Sequence, residues 1–245
     1  MSRSRQVSPS DLAKQANAAF RDLIAHLRQT TPPGQKPVLP SPPQRDLYRC
    51  AMYLHGELSR AGVSYYFCGG FACINVGMTA RTTSDIDIAV PNGNHGYGTL
   101  LNILSRPPFV QDVTGTLPPN SYYFYVESSG NFVEVDGIIA GFMAFPTLDQ
   151  ARVIQAGQFM QLNFLEPAGL LKLKLSSWAN KTRRLGPKRQ GDISDIVSIR
   201  DLLISNRAAI DLRRLTSDPA NGLRDWVREF GDLKEWQKLD RSYRG

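Results

Sequence analysis

The segment Asp85-Ile86-Asp87-Ile88-Ala89-Val90 constrains the fold more than any other part of this 245-residue chain. Acidic and apolar residues alternate in it, which is the period of a β-strand, where successive side chains leave on opposite faces. Asp85 and Asp87 then project together while Ile86 and Ile88 enter a core on the other side. Aspartate is a poor strand former, and two carboxylates on one face repel each other. Burying such a pair without a cation is costly, so a divalent metal is its natural partner. Hard oxygen ligands suit magnesium, which commonly joins carboxylates to substrate phosphates. An edge strand carrying solvated acids is the other reading of this segment alone.

The flanking patterns add to the first reading. Residues 63–68 are aromatic and branched and predict a strand, which Gly69-Gly70 breaks, and a short helix is expected over 71–76. Glycines at such a junction let backbone amides approach a ligand, and a helix start adds partial positive charge, so the place suits a phosphate. A tight turn would also account for the two glycines. Downstream, Phe132-Val133-Glu134-Val135-Asp136-Gly137-Ile138 alternates again, with Glu134 and Asp136 on one face. A third acid would complete a two-metal site. Asp136 is favoured, because the following Gly137 permits close approach, and Glu134 is the alternate, replacing or supporting it.

The remaining periodicity sets the organisation. Helices are expected over 8–29 and 44–61, joined by a stretch with six prolines over 30–43 that favours extended backbone. A helix capped by Asn94 should run to about residue 106. Strands follow at 109–113, 121–127 and 132–138, the last two joined by a Ser-Gly-Asn turn, with one more at 159–164. Beyond Pro167 the pattern is helical, over 168–181, 190–205, 207–215 and 219–238, with breaks at Gly186-Pro187 and Asp218-Pro219. The expected fold class is therefore α+β. An N-terminal helix and linker (1–43) precede a small mixed β-sheet domain flanked by helices (44–166), and an α-helical C-terminal domain (167–245) follows.

Composition excludes several classes. At 42% hydrophobic the chain can bury a core. No apolar run approaches the ~18 residues of a membrane span. The polar start, with Arg3 and Arg5 and no apolar core behind it, predicts an intracellular, cytoplasmic protein. Three cysteines, Cys50, Cys68 and Cys73, without paired spacing or nearby histidines, predict free buried thiols. His26, His55 and His95 do not cluster, and Tyr122, Tyr123 and Tyr125 read as sheet residues. Charge is uneven: residues 1–45 carry seven Lys/Arg against two Asp/Glu, 46–169 five against ten, and 170–245 seventeen against ten. An acidic centre between basic ends suits a cation site beside a surface that welcomes anions, and it leans toward RNA as a partner.

Together, Gly69-Gly70, Gly77, Arg81, Thr83, Asp85, Ile86, Asp87 and Ile88, with Asp136 far downstream, resemble the nucleotidyltransferase superfamily. The likeness is nearest to the branch of abortive-infection toxins and antibiotic nucleotidyltransferases, whose Arg-x-Thr-x-Asp-x-Asp pattern stands here at 81–87. It covers roughly residues 45–205. It implies a nucleotidyltransferase domain at 44–166 that moves a nucleoside monophosphate from an NTP to an acceptor hydroxyl and releases pyrophosphate. The metal ligands it implies are Asp85, Asp87 and Asp136, holding two Mg2+ ions, with Mn2+ as the alternative. Gly69, Gly70 and Ser84 would bind phosphates. Past Pro167, Lys174 and Arg184 or Lys188 would assist the triphosphate, and Asp192 and Asp195 would be packing or salt-bridge residues. RNA, protein and small molecules all remain open as acceptor. The contrasting reading is a catalytically silent member that binds nucleotides or partner proteins.

Overall fold

The computed structural model describes residues 8–35, 37–78, 82–117, 121–142, 144–156, 161–186 and 188–245. α1 (Pro9–Thr30) and α2 (Gln44–Arg60) come first, then β1 (Tyr66–Cys68), α3 (Gly69–Asn75) and β2 (Asp85–Val90). A π-helical turn (Asn94–Gly98) runs into α4 (Thr99–Leu104). β3 (Phe109–Gln111), β4 (Tyr122–Val126), β5 (Asn131–Ile139), β6 (Val153–Gln155) and β7 (Asn163–Leu165) follow. The rest is helical: α5 (Pro167–Ala179), α6 (Lys181–Arg184), α7 (Arg189–Ser205), α8 (Ser217–Phe230) and α9 (Leu233–Trp236). The fold is α+β with mixed strand pairing. No helix among the described residues is long and apolar enough to cross a membrane.

The helix expected over 207–215 is only a three-residue 3-10 turn, Leu212–Arg214, and three further departures have local causes. The helix expected from Asn94 opens as a π-turn because Gly96 lies against Pro91, whose carbonyl oxygen would be 2.0 Å from any β-carbon there. The helix expected over 219–238 is two, because Gly231 adopts a left-handed conformation (φ 68°) that closes α8. β6 is a three-residue strand, too short for alternation to declare it. The strand expected over 159–164 begins at residues outside those described and is seen as β7.

By packing, the chain forms two compact units. The first comprises Met1–Tyr65 and Thr82–Ile138, with strand order β3–β4–β5–β2. β3, β4 and β5 pair antiparallel, with Phe109 opposite Phe124 and Tyr123 opposite Glu134. One face of these strands presents Val110, Tyr123 and Phe132 to Ala16, Phe20, Ile24 and Leu27 of α1. The Phe20 ring sits 5.2 Å from Tyr123 and 5.1 Å from Phe132. The other face carries Phe109 and Phe124, which meet Tyr53 of α2. Gly137, on that second face, has no room for a β-carbon beyond 3.0 Å from Leu100 of α4. Asp46, fully buried at the start of α2, accepts hydrogen bonds from Ser129 (2.8 Å) and Asn131 (2.7 Å) and so holds the Ser-Gly-Asn turn.

The second unit comprises Tyr66–Arg81 and Ile139–Gly245. β1 lies parallel to β7, Phe67 opposite Phe164, and β6 pairs antiparallel on the far side of β7. Phe67, Phe71 and Phe164 form a ring cluster with centroids 5.7–5.8 Å apart. α5 and α8 meet most closely at Gly222, where a β-carbon would stand 1.8 Å from the Leu175 carbonyl oxygen. Beside that crossing, Trp178, Trp226 and Trp236 are buried together. Asp232 accepts from both Trp226 Nε1 (2.9 Å) and Trp236 Nε1 (3.0 Å) and pairs with Arg200.

Candidate functional site

In the first unit, β2 has the alternation its sequence implies. Asp85 and Asp87 are half-buried, while Ile86 and Ile88 are fully buried. The two carboxylates therefore share one half-buried face. The Arg-x-Thr-x-Asp-x-Asp motif includes Thr83, to which spacing alone assigns no role. Its hydroxyl, itself buried, donates to Asp85 Oδ1 at 2.5 Å. That bond orients the first carboxylate and leaves its other oxygen for a cation. The even spacing of Thr83, Asp85 and Asp87 is the signal that puts all three on one side of an extended segment. Arg81, at the head of the motif, lies outside the described residues. Ser84 sits half-buried in the bend that enters β2.

Glu134 and Asp136 both lie half-buried on β5, the neighbour of β2 in the strand order. They share the face of Phe132, the one α1 packs on. Tyr123, opposite Glu134, has its phenol pKa pushed up, first by burial and then by the Glu134 carboxylate. The glycine after Asp136 has a different meaning from the one its position suggested. It accommodates Leu100 and Tyr97 on the opposite face, so it does not choose between Asp136 and Glu134. Among the described residues, no three His, Cys, Asp or Glu side chains gather closely enough to form a metal site. The fit to a divalent ion thus rests on the Asp85 and Asp87 pair: hard oxygen donors, two in number, on one half-open face. A triphosphate would supply further oxygens.

In the second unit, Gly69 and Gly70 open α3 directly after β1. Gly69 has φ 60°, in the left-handed region where a side chain is strained, so glycine is required there. No side chain caps the helix start, and Gly70 is buried. Lys174, on α5, is buried, and its Nζ lies 2.6 Å from Asp195 and 3.6 Å from Asp192, both on α7. Arg183 meets Asp192 with two bonds, of 2.7 and 2.9 Å. Burial works to raise the Asp192 pKa, but the Arg183 bond and then Lys174 prevail and hold it below the ordinary range. Arg184 pairs with Asp225 at 2.7 Å, and Lys188 is exposed. The cysteines are free and buried, and burial pushes the Cys50 thiol up, away from nucleophilic character.

No protein-family model matches the sequence, and no curated protein matches it. Among solved structures, the chain is similar to an antigenic nucleotidyltransferase-like protein from Paracoccidioides brasiliensis. The two share 19% identity over 80% of this chain and 92% of that one, with a TM-score of 0.59. At that identity the likeness establishes the fold, and the fold is the nucleotidyltransferase fold. Looser similarities join it. One is to the antibiotic-resistance factor ANT(2'')-Ia, at 12% identity over 80% and 98% of the two chains, with a TM-score of 0.45. Another is to CdnC of E. coli MS115-1 with ATP, at 11% identity over 98% and 99%, with a TM-score of 0.23. At those scores neither carries an argument.

Proposed function

We propose that this chain is a metal-dependent nucleotidyltransferase. The observation that carries the reading is the pair of half-open carboxylates, Asp85 and Asp87, side by side on one strand of a nucleotidyltransferase fold. These two residues would hold Mg2+, or Mn2+ in its place, and Asp136 would join them in holding a second ion only by approaching the pair more closely than it does here. The metal, when bound, supplies charge neutralisation at the triphosphate and lowers the pKa of the acceptor hydroxyl.

The roles of the chain's own groups follow from chemistry. The acceptor oxygen forms a bond to the α-phosphorus, and the bond from that phosphorus to the bridging oxygen breaks, releasing pyrophosphate. The hydroxyl proton goes to a carboxylate, for which Asp136 is the reading's choice and Glu134 the alternate. Thr83 holds Asp85 in register throughout. Gly69, Gly70 and Ser84 would bind phosphates through backbone amides and a hydroxyl. For Lys174 the reading is narrower: its ammonium serves Asp195 and Asp192, so a part in holding the triphosphate requires that pairing to open. Rate would come from positioning and charge neutralisation.

A thermal-shift scan of the four NTPs with and without magnesium tests this directly. The expected result is stabilisation that needs both together and vanishes in Asp85→Ala/Asp87→Ala. Stabilisation by neither, in folded protein, would sink the reading. Incubation with α-labelled NTPs and fractions of RNA, protein and metabolites then identifies the acceptor by where the label appears. A nucleotide-dependent shift without label in any fraction would point to a silent nucleotide-binding or protein-interaction module.

A further inference from the structure

α1 does more than cover one face of the sheet. A groove of about 720 Å³ runs between it and the segment that leaves β3. Lys14, Arg21 and Arg28 line its helical wall. They stand seven residues apart, two turns each, so they form one line along the helix with steps of about 10 Å. Lys14 and Arg21 are exposed, and neither has a hydrogen bond or ion pair among the described residues. Arg28 closes one end, donating to Thr116 Oγ1 (2.7 Å) and the Thr114 carbonyl (3.2 Å).

The opposing charge in this groove is already committed. Asp112 is its acidic lining residue. Its carboxylate accepts from the backbone N–H groups of Thr114 (2.8 Å) and Leu117 (2.7 Å) and from the Thr114 hydroxyl. With three cationic side chains against one carboxylate, the groove carries a net positive charge. Asn17, which also lines the groove, donates an amide N–H to the Ala13 carbonyl (2.8 Å) and carries an amide oxygen able to accept. Gln111 faces the groove from the other wall. A row of cations suits a chain of phosphates. Amide acceptors beside it suit hydroxyls between those phosphates, which ribose has and deoxyribose and carboxylate side chains lack. No exposed aromatic lines the groove, so base stacking is not offered.

We propose that the α1 groove binds the backbone of single-stranded RNA, and that this RNA is the acceptor. The acceptor half of the proposal rests on the transferase reading, whereas the binding half does not. The link between them is β5. Gln111 of the groove pairs with Tyr122, and Tyr122 with Val135, so Asp136 on β5 lies about 10 Å away across two strand spacings. A strand held in the groove thus needs only a few nucleotides to bring a terminal hydroxyl to the acid end.

The test is fluorescence anisotropy of the full chain, without nucleotide or metal, against short labelled oligouridylate, oligothymidylate and oligoglutamate over a salt series. The expected order is RNA tightest. Lys14→Glu/Arg21→Glu should weaken RNA binding at least tenfold and flatten the log–log salt slope by about 1.4, at about 0.7 per lost phosphate contact. Lys14→Gln/Arg21→Gln should do the same to a smaller extent. Both pairs of side chains are exposed and unpartnered, so circular dichroism melts should match the wild type. Equal binding of RNA by wild type and both variants overturns the proposal, as does equal binding of the DNA or the acidic peptide by wild type. The magnesium–NTP thermal shift of the same variants separates the two readings. A retained shift without RNA binding removes the groove alone, and RNA binding without any shift removes the transferase reading alone.

Discussion

Thr83 and Lys174 show how single side chains set limits on function here. The Thr83 hydroxyl touches no reacting atom in the proposed chemistry; it positions Asp85. Thr83→Val keeps the shape and removes that bond. It is expected to weaken apparent magnesium affinity in the transfer assay by about ten- to a hundredfold, with much of kcat restored at high magnesium. A fall in kcat that magnesium does not relieve would show that Thr83 does something other than aim a ligand. Lys174 sits between two buried carboxylates. Lys174→Met would leave Asp195 buried beside Asp192 with its nearest cation gone. The expected loss is about 3–5 kcal/mol of unfolding free energy, read from urea melts. A change below about 1 kcal/mol would mean that the ammonium is free for other work. The Asp85 and Asp87 pairing is legible in sequence because strand alternation is local. The Lys174 partners are not, because which carboxylate a helix lysine meets depends on how α5 and α7 pack.

Between elements, close approach is governed by what is absent. Gly222 lets α8 cross α5 with backbone against backbone, and its missing side chain would otherwise occupy the Leu175 carbonyl. Gly222→Ala is expected to force the two helices apart and loosen the buried Trp178 and Trp226 pair. Loss of near-ultraviolet circular dichroism with a Tm drop of several degrees would check it, and an unchanged Tm would refute the contact. Gly137 plays the same part for α4 on β5. Its case shows why a glycine beside an acid cannot be read from sequence. The motif makes it look like room for a ligand, whereas the packing makes it room for Leu100. The N-terminal helix carries the parallel lesson. Its apolar stripe predicts burial, and Phe20 confirms it, but only the packed structure reveals that the neighbouring stripe of Lys14, Arg21 and Arg28 walls a groove.

At the scale of the whole molecule, stability should depend on acid through Asp192. Asp192 has its pKa held down in the folded state by Arg183 and Lys174 against the effect of burial. A depressed folded value means the unfolded chain binds the proton more readily. The stabilisation is therefore complete above the ordinary carboxylate value, about 3.9, and is lost as pH falls through it toward the folded one. The Tm should hold from neutrality to about pH 5 as far as this site is concerned, then fall steeply. Asp192→Asn should be less stable at pH 7 and lose less on acidification. A variant with the wild-type acid slope would place the sensitivity elsewhere.

The amino-acid sequence by itself determined the local features: the facing of Asp85 and Asp87, the burial of Ile86 and Ile88, the end of β1 at Gly69 and the helical run after Pro167. Each depends on residues within one or two turns or alternations, and the physics is short-ranged. The tertiary structure alone decided which cations are spent and which are free. It paired Lys174 with Asp195, gave Asp112 to the loop after β3, and left Lys14 and Arg21 open. Those outcomes depend on the three-dimensional meeting of segments far apart in the chain, and a charge declares its partner only once both are packed.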